Sequence, residues 1–212
     1  MVAPRGSGAG ARVVGPVEVS ADPFADGGHR SGLTLEGTDF SDRIADAPKI
    51  SSSRLSRVRL ARSSLRRPDL EEVVLRGCDL ANASWEEAIL DRVEMDECRL
   101  TGMGLVHAAL TDCRFASCEA KMANFRQATF RRTRFAGCLL RGADFQRADL
   151  SGTVFEDCDL EGCQLSFAKL EGAVFCGCRI EGVQVGAGDL RGAVVDASQA
   201  AYLAGLMGLV IR

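Results

Sequence analysis

A large apolar residue occupies almost every fifth position of this chain from Leu55 to Val195, without an insertion or a deletion. In the segment RGADFQRADLSGTVFEDCDLEG this set runs from Phe145 to Leu160, and a small residue stands two positions before each member. A helix of about 3.6 residues per turn would spread such a set around its circumference. A flat strand would send alternate members to opposite faces. The period therefore favours a chain that turns a corner after every five residues and keeps these side chains inside.

A second and longer period runs through the same region. Phenylalanine recurs at positions 115, 135, 155 and 175, and cysteine at positions 78, 98, 118, 138, 158 and 178. Four five-residue pieces fit into this longer period, so four pieces form one coil and successive coils stack like residues on like. The central residue of each piece and the residue two before it should point inward. The sequence thus predicts a core built of Phe, Leu and Cys ladders.

The repeated motifs resemble those of a known family. ADLSG (148–152), GADF (142–145), RADL (147–150) and CDLEG (158–162) are similar to the A(D/N)LxG pattern of pentapeptide-repeat proteins. The resemblance covers roughly residues 53–197. It implies an all-β fold, a right-handed quadrilateral β-helix of about seven coils, which at about 4.8 Å between stacked strands forms a rod of roughly 35 Å.

The rest of the chain is expected to form a tail and the two ends of this solenoid. Residues 1–30 are rich in Gly, Ala and Pro and aperiodic, which predicts a disordered tail. Residues 31–52 predict a degenerate first coil or N-terminal cap, because Ala45 and the stretch DAPK (46–49) interrupt the pattern. After the solenoid (53–197), residues 198–212 predict a short helix capped by Ser198 and a short strand. An open solenoid end exposes apolar groups, so this segment should be a cap and a dimerisation element.

Nothing in the sequence points to catalysis. The chain contains no GxSxG, HExxH, P-loop or GxGxxG motif, and a rod with a filled interior offers no deep cleft. Eight of the nine cysteines occupy the small inward position and should be buried free thiols, whereas Cys176 should face water. We therefore expect no enzyme activity, no metal and no cofactor. With no readable signal peptide and no membrane-span pattern, a cytoplasmic protein is expected.

Charge is banded along the sequence. Residues 49–67 contain Lys and Arg but no acid, 68–97 are mostly acidic, 98–150 mostly basic, and 151–196 mostly acidic. When outward positions are sorted by face, no face is uniformly acidic. Three outward valines, Val154, Val174 and Val194, recur with the longer period and should form an apolar stripe.

The family resemblance suggests a function. One branch of pentapeptide-repeat proteins binds DNA gyrase, gives fluoroquinolone resistance by imitating duplex DNA, and dimerises through its C-terminus. The resemblance thus implies a non-catalytic, protein-binding solenoid, with DNA gyrase or topoisomerase as a possible partner and a homodimer as its state. The mixed charge departs from DNA mimicry, whose template carries one negative charge per about 1.7 Å. The alternative is a scaffold or interaction module whose partner is unrelated to DNA topology. Direct nucleic-acid binding through residues 49–67 is a third hypothesis, which we do not expect to hold.

Two sets of outward residues are the candidate sites. The candidate partner surface consists of Asp69, Glu71, Glu72, Asp91, Glu94, Asp96, Glu97, Glu156, Asp157, Arg131, Arg132 and Arg134. The candidate dimer contact consists of Val154, Val174, Val194, Tyr202, Leu203, Leu206, Met207 and Leu209.

Overall fold

The computed structural model describes residues 22–210 of the chain. Most of its strands are three residues long, as expected where the chain turns after every five residues, and one helix follows them. The strands are β1 (His29–Ser31), β2 (Thr34–Glu36), β3 (Ile44–Asp46), β4 (Lys49–Ser56), β5 (Ser64–Arg66), β6 (Asp69–Arg76), β7 (Ile89–Asp91), β8 (Glu94–Asp96), β9 (Ala109–Thr111), β10 (Arg114–Ala116), β11 (Thr129–Arg131), β12 (Arg134–Ala136) and β13 (Val154–Glu156). The helix is α1 (Ala197–Leu206).

Each strand pairs in parallel with the equivalent segment of the next coil. The offset between paired residues is constant from the pair His29 and Lys49 to the pair Val174 and Val194. Residues between the named strands continue it as single bridges, such as Asp79 with Arg99. The chain is therefore the predicted all-β quadrilateral β-helix, with four five-residue pieces in each coil.

The solenoid has four sides, which we name after one inward residue each. The Phe115 face contains the inward residues 35, 55, 75 and so on; the Leu100 face contains 40, 60 and 80; the Trp85 face contains 45, 65 and 105; and the Leu110 face contains 50, 70 and 90. A rung is the part of one coil that lies on one face. Neighbouring rungs are about 4.8 Å apart, the usual distance between paired strands.

A left-handed backbone conformation forms every corner. Every fifth residue from Gly27 to Gly182 has a positive φ, including bulky residues such as Arg92 (52°). This conformation costs a non-glycine residue roughly 1–2 kcal/mol. Hydrogen bonds offset the cost, because the Arg92 N–H donates to the Thr111 carbonyl at 2.9 Å. The Asp before many inward residues also helps: Asp144 Oδ1 accepts the Gln146 N–H at 2.9 Å across the turn, which explains the A(D/N)LxG pattern.

The interior is built as predicted, with aromatic and aliphatic ladders. Every central residue from Leu55 to Ile180 is buried. The rings of Phe115 and Phe135 stack with centroids 4.6 Å apart, and Phe155 and Phe175 continue the stack at 5.1 Å spacings. The eight cysteines predicted to point inward are buried, and Cys176 is exposed.

The N-terminal end corrects two expectations. Residues 22–30, assigned above to a disordered tail, form a turn and strand β1, because Phe24 is buried at this end and packs edge-on against Phe40 at 5.1 Å. Residues 1–21 lie outside the described residues. The stretch 45–49 does not interrupt the coil either: Ala45 is buried and pairs with Leu65, and Pro48 is buried as well.

The C-terminal end is a helical cap whose start differs by two residues from the expected one. Asp196, rather than Ser198, is the N-cap: its carboxylate accepts the N–H groups of Ser198 and Gln199. The Gln199 side chain accepts the Asp196 N–H in return, which completes a capping box. The predicted terminal strand does not appear at Leu209 and Val210, and residues 211–212 lie outside the described part.

Candidate protein-interaction surface

The predicted partner residues fall on two adjoining faces of the solenoid. The register places Glu94, Asp96, Glu97, Arg134, Glu156 and Asp157 on or beside the Phe115 face, together with the three valines. It places Asp69, Glu71, Glu72, Asp91, Arg131 and Arg132 on or beside the Leu110 face. The two groups meet along one corner of the rod and are separate surfaces.

Most of the basic residues of segment 49–67 are paired with acids of the coil before it. Arg59 lies 2.7 Å from Asp39, and Arg62 lies 2.7 Å from Asp42. Arg67 contacts Asp46 at 2.9 Å. Because the partners lie in adjacent coils, the band that looks basic in sequence is a row of ion pairs in space. This pairing weakens the hypothesis that residues 49–67 bind nucleic acid. The length of one coil, which can be read from the sequence, already indicated which acids and arginines lie in adjacent coils.

The acidic segment 68–97 is neutralised only in part. Lys49 lies 2.8 Å from Asp69. Arg92 is shared by three carboxylates, Glu71 at 2.7 Å, Glu72 at 3.2 Å and Asp91 at 2.5 Å. Asp96 contacts Arg76 at 3.4 Å. The group around Arg92 therefore keeps an excess of negative charge.

Three carboxylates of the Phe115 face have no cationic partner within 4.0 Å among residues 22–210: Glu94, Glu97 and Asp157. Glu94 lies opposite Arg114 in the β8–β10 ladder, yet the two side chains form no ion pair. Two residues of the predicted partner surface on this face, Arg134 and Glu156, form an ion pair with each other. The Phe115 face thus presents carboxylates that are free to meet an external cation.

The three outward valines form a continuous stripe on the same face. Val154 bridges to Val174 and Val174 bridges to Val194. The first two are half-buried, and Val194 is 44% exposed. Cys176 is exposed beside them. An apolar stripe therefore lies between the rung of Asp157 and the C-terminal cap.

The predicted dimer residues of the C-terminus divide into a buried and an exposed group. Leu203 is 7% exposed and lines a cavity of about 20 Å³ with Phe175 and Val195. The Tyr202 hydroxyl accepts the Gly182 N–H at 2.6 Å. These two side chains hold the helix on its own solenoid. Leu206, Met207 and Leu209 are exposed and remain available to another chain.

The pKa values of two surface carboxylates and of two buried thiols are shifted in opposite directions. Hydrogen bonds from the Ser198 hydroxyl and the Gln199 and Gly177 N–H groups lower the pKa of Asp196 to about 2. Hydrogen bonding to Arg132 lowers the pKa of Asp112. Burial raises the pKa of Cys113 to about 11 and that of Cys163 to about 12, so these thiols stay protonated and unreactive. Residues 22–210 contain no cluster of three or more His, Cys, Asp or Glu that could hold a metal ion.

One exposed aromatic residue was missed at the sequence level. Phe167 stands two positions after the inward Leu165, at a corner with φ 63°, and is 71% exposed. The Arg147 guanidinium lies 5.9 Å from the centre of its ring. A phenylalanine outside the five-residue phase was the signal that could have found it, because that position points outward and phenylalanine is usually buried.

Sequence and structure comparisons agree with this geometry. A model described as "pentapeptide repeat region" matches residues 68–136 and 108–185, more than half of the chain. The chain belongs to the pentapeptide-repeat family. No curated protein matches it.

Two solved structures match this chain over most of its length. HetL, a pentapeptide repeat protein involved in heterocyst differentiation regulation from the cyanobacterium Nostoc sp. strain PCC 7120, is 21% identical, with a TM-score of 0.58 over 82% of this chain and 90% of HetL. Full-length QnrB1, a plasmid-mediated fluoroquinolone resistance protein, is 18% identical, with a TM-score of 0.37 over 86% of this chain and 100% of QnrB1.

No helix within residues 22–210 is both long and apolar enough to span a membrane.

Proposed function

We propose that this protein is a non-catalytic, protein-binding rod whose partner surface is the Phe115 face. The observation that carries the proposal is that one face combines unpaired carboxylates with an exposed apolar stripe. Glu94, Glu97 and Asp157 lack cationic partners among the described residues, and the stripe ends at the exposed Val194. On the Leu100 face, by contrast, Asp39, Asp79 and Asp159 are matched to Arg59, Arg99 and Arg179.

This combination suits a basic and partly apolar protein surface. Carboxylates held on a rigid rod lose little freedom on binding, so their attraction to a cationic partner is retained in the net affinity. The valine stripe adds apolar area that water leaves on contact. Surface acids already paired with arginine offer much less, because a partner would first have to break those pairs.

DNA gyrase is the specific partner that the family resemblance suggests, with the rod acting as a mimic of DNA and protecting the enzyme from inhibitors. The uniform rod shape and the unpaired carboxylates support this partner. The many arginine–carboxylate pairs oppose mimicry over the whole length, since DNA carries one negative charge per about 1.7 Å. The proposal therefore places gyrase contact on the Phe115 face alone.

The test is a gyrase supercoiling assay with purified protein, with and without a fluoroquinolone. We expect the protein to restore supercoiling in the presence of the drug, or to inhibit it in the absence of the drug, at a concentration near its dissociation constant for gyrase. If supercoiling is unaffected in both settings, gyrase is not the partner.

The second candidate function is a scaffold whose partner has no role in DNA topology. The unpaired Arg131, which has no carboxylate within 4.0 Å among the described residues, favours it because it adds a cationic site near the same corner. Reversing the charge of Arg131 and Arg132, which lie on the Leu110 face, would abolish capture of such a partner and leave any gyrase effect intact. If the reversals instead leave capture of that partner intact and abolish the gyrase effect, the scaffold function is excluded.

We also propose that the exposed end of the cap forms a homodimer contact. Leu206, Met207 and Leu209 present apolar side chains beyond the residues that hold α1 in place. Replacing all three with Ser should remove this contact without unfolding the chain, because none of them is buried. Light scattering of the triple variant, with the exposed Leu139→Ser as the control, measures the change. Unchanged mass would show that this end does not associate.

A further inference from the structure

One corner of the rod carries a row of chemically distinct, outward side chains. This corner, which we call the Phe167 edge, precedes the Leu110 face and contains Arg67, Glu87, His107, Gln127, Arg147 and Phe167, all with positive φ. Successive members are one rung apart, at about 4.8 Å. Among the described residues, Glu87 and Arg147 have no ion-pair partner within 4.0 Å. The edge therefore holds one free anion and one free cation, separated by three rungs.

The row is complementary to itself when it is read in the opposite direction. If two copies face each other antiparallel, with a two-fold axis midway between the rungs of Leu110 and Phe130, Glu87 lies opposite Arg147 of the second copy. The same axis brings Arg67 opposite the exposed ring of Phe167 and His107 opposite Gln127. By symmetry each contact occurs twice. An arginine over an aromatic face is a favourable contact.

The outward positions of the Leu110 face obey the same symmetry. Asp69 lies opposite Lys169 of the second copy. Asp112 likewise lies opposite Arg132. Both are opposite-charge pairs, but their members are also paired within one chain, Asp69 with Lys49 and Asp112 with Arg132. Glu87 and Arg147 therefore form the intermolecular pair for which no existing ion pair has to be broken. In the one like-charge pair, Glu71 with Glu171, the Arg92 guanidinium lies 2.7 Å from Glu71.

We propose that the Leu110 face and the Phe167 edge bind a second copy of this chain, side by side and antiparallel. The contact between regular rungs runs from that of Leu70 to that of Leu170, about 24 Å along the rod. An open groove of about 430 Å³, lined in part by Ser151, Phe167, Lys169 and Arg191, lies on the C-terminal half of this surface. The Arg67 and Asp69 side chains of the second copy face this groove and can fill it.

The charges also select the register. Moving the axis onto the rung of Leu110 places Lys49 opposite Lys169 and Asp69 opposite Asp149. An axis between the rungs of Leu90 and Leu110 pairs Glu72 with Arg132 and also uses the rung of β1, but it places Glu87 opposite His107 and Phe167 opposite Gly27. Only the proposed axis brings the two unpaired charges of the edge, Glu87 and Arg147, opposite each other, and its contact is therefore the one proposed. It is independent of the C-terminal helix and of the Phe115 face.

The test uses full-length chains that also carry Leu206→Ser, Met207→Ser and Leu209→Ser, so that the C-terminal contact is silenced. Light scattering and sedimentation at low salt should find a dimer. Glu87→Arg or Arg147→Glu should each weaken self-association by roughly 100-fold or more, because like charges then face each other twice. The double variant Glu87→Arg/Arg147→Glu should restore the dimer.

The matched control is Glu97→Arg. Glu97 occupies the equivalent corner position before the Leu100 face, with φ 52°, and among the described residues it is also unpaired. Its reversal should leave the dimer unchanged, and a folded far-UV spectrum is required of every variant. A monomeric starting protein, an unchanged dimer after Glu87→Arg, or failure of the double variant to reassociate would each overturn the proposal.

Discussion

The middle of the rod and its C-terminal end are built from the same repeat but are protected differently. Around Phe135 each inward ring has a like ring above and below it, at 4.6 and 5.1 Å. At the end, Val185, Leu190 and Val195 have a coil on one side only and are half-exposed, and α1 leaves a cavity of about 20 Å³. The comparison teaches that a five-residue repeat buries its inward residue only between two coils. The last coil depends on a cap that the repeat does not encode.

The largest expected effect is in the middle of the rod. Phe135→Ala should lower the free energy of unfolding by about 3–5 kcal/mol, because it removes a fully buried ring from a stack that cannot collapse around the gap. Denaturant-induced unfolding followed by circular dichroism measures the loss. A loss below about 1 kcal/mol would contradict the proposed continuity of the stack.

The same kind of truncation should cost less at the end. Leu203→Ala should lower the free energy of unfolding by about 2 kcal/mol, the low end for a buried leucine, because the side chain already borders a cavity and is 7% exposed. The same denaturation experiment measures it. A loss as large as that of Phe135→Ala would mean that the two regions are equally well packed.

Acid should loosen the cap through Asp196. Its pKa is lowered to about 2 in the folded chain, against about 3.9 when unfolded. The unfolded state therefore binds more protons between these values, so the stabilisation is complete above about pH 4 and is lost as the pH falls through about 2. Thermal unfolding of the wild type and Asp196→Asn should differ at pH 6 and converge at pH 2. A difference that does not change with pH would exclude the carboxylate as the cause.

The smallest effect is expected on the surface. Arg134→Ala should change the free energy of unfolding by less than about 1 kcal/mol, because its ion pair with Glu156 is largely exposed to water. Chemical denaturation beside Phe135→Ala gives the comparison directly. A large loss would mean that the outward charges, and not the ladders, hold the coils together.

The period made the interior predictable, residue by residue. Which side chains point inward follows from position alone, so Phe115, Cys118 and Leu150 could be placed without a structure. The charge bands misled because Arg62 and Asp42 are separated in sequence and adjacent in space. The sequence predicted Ser198 as the N-cap of α1, whereas the structure has Asp196. Both residue types suit that position, and only the backbone geometry decides between them. The structure of the N-terminal end could not be predicted, because it depends on a tertiary contact, the packing of Phe24 on Phe40, which the repeat pattern does not indicate.

The proposed site was less predictable than the fold for a physical reason. Inward positions are constrained by packing against identical neighbours, whereas outward positions tolerate most polar residues. Only pairing across coils distinguishes the free Glu94 and Glu97 from the neutralised Asp79. Phe167 escaped notice because its role depends on exposure at a corner and on Arg147 beside it.

The central claim, that function lies in the unpaired residues of the Phe115 face, is tested most directly by measuring binding to gyrase with two matched variants. One replaces Glu94 and Glu97 with Gln and Asp157 with Asn. The other replaces the arginine-paired Asp39, Asp42 and Asp79 with Asn, so that both lose three negative charges. We predict at least a tenfold loss of affinity for the first variant and near wild-type affinity for the second, the size expected when about 1.4 kcal/mol is removed. Equal losses in the two variants would contradict the claim, since net charge alone would then explain binding.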